Sequence, residues 1–267
     1  MEKAKRAREE QTDIPLVHTN DPSTAAVGLA EPAVDVREEL RPQYRQTQVF
    51  SCEPDVLKKH KIVGLFHEGE TSDQLKILRT QVLNRMAEIK GNSLLVTSAR
   101  PLEGKTTTAI NLAVSLSHKL DHTVLLVDAD LRKPSVHRFF NYNVKVGLSD
   151  YLLGQAEIPE LMLNPGIEKL VILPGGSPMP NSTELMGSPR MERLVKEMKS
   201  RYADRFIIFD SSSLLNSADP LIFSRFVDGI LLVVEAEKTP YQDIQKAVGM
   251  LKERLIIGTI LNKVLGQ

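Results

Sequence analysis

Short apolar runs alternate along this chain with longer segments whose apolar residues recur at helical spacing. Continuous apolar runs are typical of strands that are covered on both faces, as in a parallel sheet. The predicted strands are 93–98, 123–127, 170–173, 206–209, 229–234 and 256–261. The predicted helices are 105–119, 189–202, 218–225 and 240–254. This alternation predicts an α/β fold with a mostly parallel central sheet and helices on both faces.

The N-terminal part of the chain has a different composition. Residues 1–48 are rich in Glu, Arg, Pro, Thr and Ala and have no sustained apolar periodicity. Such a segment cannot bury enough apolar surface to offset the entropy lost on ordering, so we expect a disordered arm. Residues 49–267 are expected to form one folded domain. Within it, helical spacing over 72–86 predicts a helix with Ser72 as its N-cap.

Charge and hydropathy exclude several classes of partner. The chain has 34 Lys and Arg residues and 34 Asp and Glu residues, so no broad positive field is available and we expect no nucleic-acid partner. The longest apolar runs fall far short of the roughly 20 residues that span a bilayer. The first ten residues lack the apolar segment of a secretory signal, which predicts a cytoplasmic protein.

The segment Ala99–Thr108 has the features of a phosphate-binding P-loop, because it lies between a predicted strand and a predicted helix. Gly104 allows close backbone approach, Lys105 supplies charge, and Thr106 supplies a hydroxyl for Mg²⁺. The consensus G-x-x-x-x-G-K-[ST] has glycine where this chain has Ala99. The residues predicted to hold a nucleotide's phosphates are Pro101, Leu102, Glu103, Gly104, Lys105, Thr106 and Thr107.

Aspartates end two of the predicted strands. Asp128 and Asp130 follow the apolar run 124–127, and Asp210 follows 206–209. Ligands of open α/β sheets bind at the carboxyl ends of the strands, where the P-loop also lies. The two-residue spacing predicts that Asp128 and Asp130 point to one side. Three carboxylates near one lysine would repel one another without a cation, so the pattern indicates a Mg²⁺-nucleotide site.

Together, the P-loop, the strand Val124-Leu-Leu-Val-Asp-Ala-Asp-Leu-Arg132 and the strand ending at Asp210 resemble the bacterial tyrosine kinases, relatives of the MinD/ParA ATPases. The resemblance covers about residues 50–267 and implies a three-layer P-loop NTPase fold that uses ATP and Mg²⁺. The subgroup most similar to this chain is the cytosolic autokinases that accompany exopolysaccharide export in bacteria with exosortase systems.

The resemblance also implies roles for individual residues. Lys105 would bind the β- and γ-phosphates, and Thr106, Asp130 and Asp210 would hold the metal. Asp128 would orient or deprotonate the acceptor hydroxyl, which makes Lys105, Asp128 and Asp210 the implied catalytic set. Arg132 would steady the loop or contact a phosphate. Asn262 resembles the position that contacts adenine, and it is equally consistent with a turn residue at a strand end.

A second match concerns assembly. Asp73-x-x-Lys76-x-x-Arg79 is similar to the family's Glu-x-x-Arg-x-x-Arg helix, which implies a homo-oligomer formed through these residues. The family's partner is a membrane-anchored polysaccharide co-polymerase, a chain-length regulator whose cytoplasmic end completes the active site. Such a partner would recruit this chain to the inner face of the cell membrane. A protein-tyrosine phosphatase is a further implied partner.

Two departures from the family pattern keep other functions open. Asp210 is followed by Ser-Ser-Ser rather than a Thr-Pro-Pro-like turn. The family's cluster of tyrosines is absent after Asn262, so Tyr44, which lies in the N-terminal arm, is the best acceptor candidate. The first function is a tyrosine autokinase or derived ATPase that controls exopolysaccharide polymerisation and export. The second is a nucleotide-gated assembly module with vestigial kinase activity. A MinD/ParA-like positioning ATPase is disfavoured, because those proteins carry an additional lysine where this chain has 99–101.

Overall fold

A central sheet dominates the computed structural model, which describes residues 47–66, 69–118, 122–144, 146–201 and 204–264. The strands described are β1 Gln48–Val49, β2 Ser93–Ser98, β3 Thr123–Asp128, β4 Leu163–Asn164, β5 Leu170–Leu173, β6 Arg205–Asp210, β7 Gly229–Glu235 and β8 Ile256–Asn262. They form one sheet in the order β1-β4-β5-β3-β6-β2-β7-β8. All neighbours from β5 to β8 are parallel. β4 is antiparallel to β5, and β1 is parallel to β4.

Ten α-helices are described around this sheet: α1 Pro54–Lys59, α2 Glu70–Glu88, α3 Lys105–Ser117, α4 Val136–Phe139, α5 Leu148–Leu152, α6 Ile158–Leu161, α7 Ser182–Met186, α8 Pro189–Arg201, α9 Asp219–Phe223 and α10 Tyr241–Met250. A 3₁₀ turn, Ser224–Phe226, continues α9. None of the helices in the described ranges combines the length and apolar character needed to cross a membrane.

The side chains of each central strand point alternately into two separate apolar cores. Leu94 and Val96 of β2 pack with α2 and α3, whereas Leu95 packs with the core that includes α8 and α10. Because successive strand residues face opposite sides, an uninterrupted apolar run is required to cover a sheet between two helical layers. The predicted three-layer α/β fold is confirmed.

The structure corrects several element boundaries. α2 begins at Glu70 with Gly69 at its N-cap position, so Ser72 is not the cap. The Ser72 hydroxyl instead donates a hydrogen bond to the carbonyl of Phe66 (2.6 Å) from inside the first turn. α10 ends at Met250, four residues before the predicted end at 254. The two-residue strands β1 and β4 and the short helices α4 to α7 were not predicted, because segments this short carry no periodic signal.

Sheet order determines where the candidate site lies. β3, β6 and β2 are adjacent, and they deliver Asp128, Asp210 and the P-loop to one edge. β7 lies beside β2 and β8 lies beside β7, and these two strands end at Glu235 and Asn262. The carboxyl ends of five parallel strands therefore surround one surface.

Candidate nucleotide-binding and active site

The P-loop connects β2 to α3 through residues in left-handed conformations. Gly104 has φ 94° and precedes Lys105, the first residue of α3. A Cβ on Gly104 would lie 2.0 Å from the Asn262 Nδ2, so only glycine fits this position. The N-terminus of α3 has no side-chain cap. Its first-turn N–H groups and positive dipole end are therefore available to an anion such as a phosphate.

Contacts from β7, β8 and α10 hold the P-loop in place. The Glu103 side chain is buried, accepts from the Arg100 backbone N–H (2.9 Å) and accepts from the Thr239 hydroxyl. The Asn262 side-chain amide donates to the Glu103 carbonyl (2.8 Å), and the Lys263 ammonium donates to the Leu102 carbonyl (2.7 Å). Arg100 also forms an ion pair with Asp243 of α10.

These contacts change the interpretation of two predicted nucleotide ligands. The Glu103 carboxylate is used within the protein, so only its backbone remains for a phosphate. The Asn262 amide donates to the P-loop in this structure, and its contact with adenine stays a prediction. Pro101 lies in the same loop, and Leu102 is 84 % exposed at its tip with φ 67°.

Lys105 and Asp130 face each other beside the P-loop. The Lys105 Nζ lies 3.6 Å from the Asp130 Oδ2, and both side chains are mostly buried. The Asp130 Oδ1 accepts from the Lys133 backbone N–H (3.1 Å). Burial raises the pKa of Asp130, the Lys105 ammonium opposes this rise, and Asp219 adds to it. Lys105 is thus positioned between a carboxylate and the end of α3 where phosphates would bind.

Asp128 and Asp210 are opposite each other on neighbouring strands and are fully buried. The Asp128 Oδ2 accepts from the backbone N–H groups of Ser135 (2.8 Å) and Val136 (2.9 Å). The Asp128 Oδ1 has no hydrogen-bond partner among the described residues. The Asp210 oxygens accept no hydrogen bond of good geometry there, although the Thr106 hydroxyl is close enough to oppose the rise in the pKa of Asp210. Burial and the Asp210 charge raise the pKa of Asp128. Burial also raises the pKa of Asp210, although Lys105 opposes that rise.

Asp128 and Asp130 have different hydrogen-bonding and ionic partners, and the Asp130 charge still adds to the raised pKa of Asp128. That the two carboxylates point to one side stays a prediction. β3 ends at Asp128, and Asp130 lies in the following loop, where strand alternation no longer applies. Asp128 turns toward Ser135 and Val136, while Asp130 turns toward Lys105.

The residues fit a magnesium ion that is shared with a nucleotide. Among the residues that the structure describes, no group of three His, Cys, Asp or Glu side chains could hold a metal by itself. Mg²⁺ is usually held by one or two carboxylates, water and substrate phosphates, so Thr106, Asp130 and Asp210 would hold the ion together with a bound nucleotide. A fully buried Asp210 carboxylate that accepts no hydrogen bond of good geometry is costly without a cation, and a bound Mg²⁺-nucleotide would offset that cost.

Sequence reasoning missed Asp219, which anchors Arg132. The Arg132 Nε donates to the Ser182 hydroxyl (3.1 Å) and lies 3.7 Å from the Asp219 Oδ2. Asp219 is 1 % exposed and accepts from the Thr183 hydroxyl (2.5 Å). Its sequence context, an acidic residue before Pro220 at a helix start, looks like an ordinary first-turn residue. No local pattern could have linked it to Arg132.

Comparisons with known proteins assign the chain to a family. Residues 103–256 match the family model described as AAA domain. The tyrosine-protein kinase YwqD of Bacillus subtilis is 35% identical over 193 residues, which cover 72% of this chain and 80% of YwqD. The chain belongs to the bacterial tyrosine-protein kinases. The Salmonella typhimurium tyrosine-protein kinase wzc is 29% identical over 216 residues, which make up 78% of this kinase but only 29% of wzc.

Solved structures agree with this assignment. The kinase domain of the Escherichia coli tyrosine kinase ETK superposes with a TM-score of 0.73 at 26% identity, covering 85% of this chain and 91% of that domain. The septum site-determining protein MinD of Pyrococcus horikoshii, solved with Mg-ADP, gives a TM-score of 0.55 at 25% identity, covering 64% of this chain and 69% of MinD. The kinase fold is therefore shared with an ATPase whose structure contains Mg²⁺ and a nucleotide.

The predicted assembly helix of this kinase is α2, and its charged residues make contacts inside the chain. Asp73 and Lys76 form an exposed ion pair (2.7 Å). The Arg79 guanidinium instead donates to the Ser115 carbonyl of α3 (2.9 Å). Arg79 therefore holds α2 against α3 within one protomer.

The tyrosines of this kinase differ in exposure. Tyr44, the predicted acceptor, lies outside the described residues, as do Tyr202 and positions 1–46 of the predicted arm. Tyr142 stacks on Phe50, and Tyr151 lies under the Arg190 guanidinium. Tyr241 is 70 % exposed at the start of α10.

Proposed function

We propose that this chain is a Mg-ATP-dependent protein-tyrosine kinase, with ATPase activity, that regulates exopolysaccharide polymerisation and export. The observation that supports it best is the fully buried pair Asp128 and Asp210 beside Lys105 and the P-loop. Among the described residues, the Asp128 Oδ1 and the two Asp210 oxygens accept no hydrogen bond of good geometry. Unpaired buried carboxylates at the carboxyl ends of strands are poorly explained by stability, because they oppose folding. They are well explained by a metal-nucleotide site.

Each residue of the site has a chemical role in phosphoryl transfer. Lys105 and the N-terminal amides of α3 neutralise the β- and γ-phosphates of ATP. Thr106, Asp130 and Asp210 would hold Mg²⁺, which neutralises charge on the phosphates when bound. The acceptor phenol forms a new bond to the γ-phosphorus as the bond to the β,γ-bridging oxygen breaks, and ADP leaves. The Asp128 carboxylate orients the phenol and accepts its proton.

The partner is a membrane-anchored polysaccharide co-polymerase, which recruits the kinase to the inner face of the membrane. Support comes from the family resemblance and from wzc, where the region similar to this chain forms under a third of a longer protein. We expect low turnover alone and stimulation by the partner's cytoplasmic segment. Equal turnover with and without that segment contradicts this part of the proposal.

Two further elements rest on the resemblance. The kinase forms a homo-oligomer through Asp73, Lys76 and Arg79 of the α2 helix, of which Asp73 and Lys76 have exposed side chains. A protein-tyrosine phosphatase removes the phosphate and resets the cycle. No nucleic-acid partner is proposed, since positive and negative charges balance along the chain.

The decisive experiment follows the fate of the phosphate. The full chain is incubated with labelled Mg-ATP, and every tyrosine-containing peptide is analysed by mass spectrometry. Lys105→Met removes the predicted phosphate ligand. Lys252→Met is the matched control, because the Lys252 side chain is exposed and this residue is not part of the P-loop. Label on tyrosine that is lost only in Lys105→Met supports the kinase. Nucleotide binding with free phosphate alone, or with no turnover, would instead indicate a nucleotide-gated assembly module or a positioning ATPase.

A further inference from the structure

A cavity of about 250 Å³ adjoins the loop that carries Asp130. Arg132, Pro178, Met179 and Pro180 line it. We infer that this cavity is the acceptor subsite, which receives the tyrosine side chain of the segment to be phosphorylated. The inference rests on the proposed kinase function and adds to it a binding site and a reason for tyrosine specificity.

The segment that lines the cavity contacts the loop after β3, which carries Asp130 and Arg132. The backbone N–H of Met179 donates to the carbonyl of Leu131 (2.8 Å), the residue between Asp130 and Arg132. Gly175, near the start of the same β5–α7 connection, is packed so closely that a Cβ there would lie 3.2 Å from the Asp128 carbonyl. The 174–181 segment therefore lies directly on the loop after β3. An occupant of the cavity would contact Arg132, which follows Asp130 by two residues, and Asp130 in turn contacts Lys105.

Arg132 is held in the cavity by buried groups. Its Nε donates to the Ser182 hydroxyl and faces the Asp219 carboxylate, and neither Ser182 nor Asp219 is exposed by more than 1 %. The Thr183 hydroxyl fixes the other oxygen of Asp219. Nearly half of the Arg132 side chain (46 %) remains exposed. Ser182 and Asp219 therefore fix one side of the guanidinium, and the other side is exposed.

The lining matches the chemistry of a tyrosine rather than that of a free anion. Proline rings and a methionine thioether supply apolar, polarisable surface for an aromatic ring. An arginine can lie over such a ring, and after transfer it can pair with the phosphate dianion of the product. An inorganic phosphate would bind to the arginine but would make no favourable contact with Pro178, Met179 and Pro180. Serine has no ring to fill the apolar part, so it would bind weakly.

The test compares acceptor binding with nucleotide use in the full-length kinase. The acceptor is a synthetic peptide of residues 39–48, which contains Tyr44, and a second peptide has serine in place of that tyrosine. Met179→Ala removes the thioether, and Met179→Glu places a carboxylate where the ring would pack. Met250→Ala is the matched control, because Met250 is a partly exposed methionine at the end of α10.

We expect the KM for the tyrosine peptide to rise about five- to tenfold in Met179→Ala, in keeping with the loss of a sulfur–aromatic contact, and further in Met179→Glu. The KM for ATP and the rate of ATP hydrolysis without peptide should stay unchanged in both variants. The serine peptide should be a poor acceptor for all of them. A thermal melt checks that each variant is folded.

Separate results distinguish failure of the subsite from failure of the proposed function. If the wild type phosphorylates the tyrosine peptide and both Met179 variants do so with the same KM, the subsite is wrong and the kinase stands. If the wild type hydrolyses ATP but labels no tyrosine, peptide affinity is measured by fluorescence anisotropy with a non-hydrolysable ATP analogue and Mg²⁺. Equal affinity for the tyrosine and serine peptides then overturns the subsite as well.

Discussion

The side-chain amide of Asn262, at the end of β8, donates a hydrogen bond to the main-chain carbonyl of Glu103 in the P-loop. This contact fastens the nucleotide loop to a neighbouring strand. Because the Glu103 side chain is also bound to Arg100 and Thr239, the loop conformation is fixed from two directions. Pre-organisation of this kind lowers the ordering cost that nucleotide binding would otherwise incur.

Gly104→Ala should abolish this arrangement. The new Cβ would overlap the Asn262 amide, and the left-handed φ of 94° adds a backbone strain of about 1–2 kcal/mol for a non-glycine residue. We expect the affinity for Mg-ATP to fall at least tenfold, measured by isothermal titration calorimetry. Gly249→Ala is the control, since nothing lies within 4 Å of a Cβ added there. Wild-type affinity in Gly104→Ala would show that the loop adapts and is not pre-organised.

Asp219→Asn should impair phosphoryl transfer more than stability. The amide retains its size and can still accept from the Thr183 hydroxyl, but it loses the charge that faces Arg132. We expect the rate of tyrosine phosphorylation to fall about tenfold, equivalent to about 1.4 kcal/mol of transition-state stabilisation. The control Glu184→Gln changes an exposed acid on the adjacent helix α7. If Asp219→Asn lowers the melting temperature as markedly as it lowers the rate, and Glu184→Gln changes neither, the role of Asp219 is structural.

The outcome for individual residues shows how far the sequence determined the site. The P-loop, Asp128 and Asp210 were found because apolar runs mark buried strands and the carboxyl ends of parallel strands converge. Asp219 and Met179 were not found, since each reaches the site through contacts with residues 40 or more positions away. The partner of Asp130 could not be predicted from strand alternation, because β3 ends two residues before it. Local patterns predict elements, whereas contacts between separate loops depend on how those elements pack.

Stability should depend on pH through Asp228, which precedes β7. Burial raises the pKa of this carboxyl, but hydrogen bonds from Lys199, Ser93 and the Asn92 N–H outweigh burial and hold the pKa below the ordinary value of an aspartate. A carboxyl whose pKa is lower in the folded state stabilises the protein above the unfolded pKa. That contribution is lost as the pH falls through the folded pKa.

Asp228→Asn should therefore destabilise the protein near neutral pH by about 1–3 kcal/mol, the usual cost of leaving hydrogen-bond donors without a charged partner. Urea unfolding at pH 7, 5 and 4 measures the difference from wild type. We expect it to be constant at pH 7 and 5 and to shrink as the pH falls below about 4. Glu197→Gln, which removes an exposed ion pair with Arg201, should change stability by less than about 0.5 kcal/mol. If the stability difference between wild type and Asp228→Asn instead grows as the pH falls, the pKa of Asp228 is not lowered in the folded protein.

Asp73 offers a cleaner test of self-association than Arg79. Arg79 binds the Ser115 carbonyl within its own chain, so reversing its charge would loosen α2 from α3 and confuse folding with assembly. Asp73 is 68 % exposed, and its partner Lys76 lies one turn along the same helix. Exposed i,i+3 pairs contribute only about 0.2–0.5 kcal/mol, so Asp73→Arg should leave the fold intact.

If α2 mediates the homo-oligomer, this variant should be a monomer by light scattering, and Glu88→Lys at the other end of α2 should assemble like wild type. An Asp73→Arg protein that keeps the wild-type oligomer would exclude the N-terminal half of α2 from the interface.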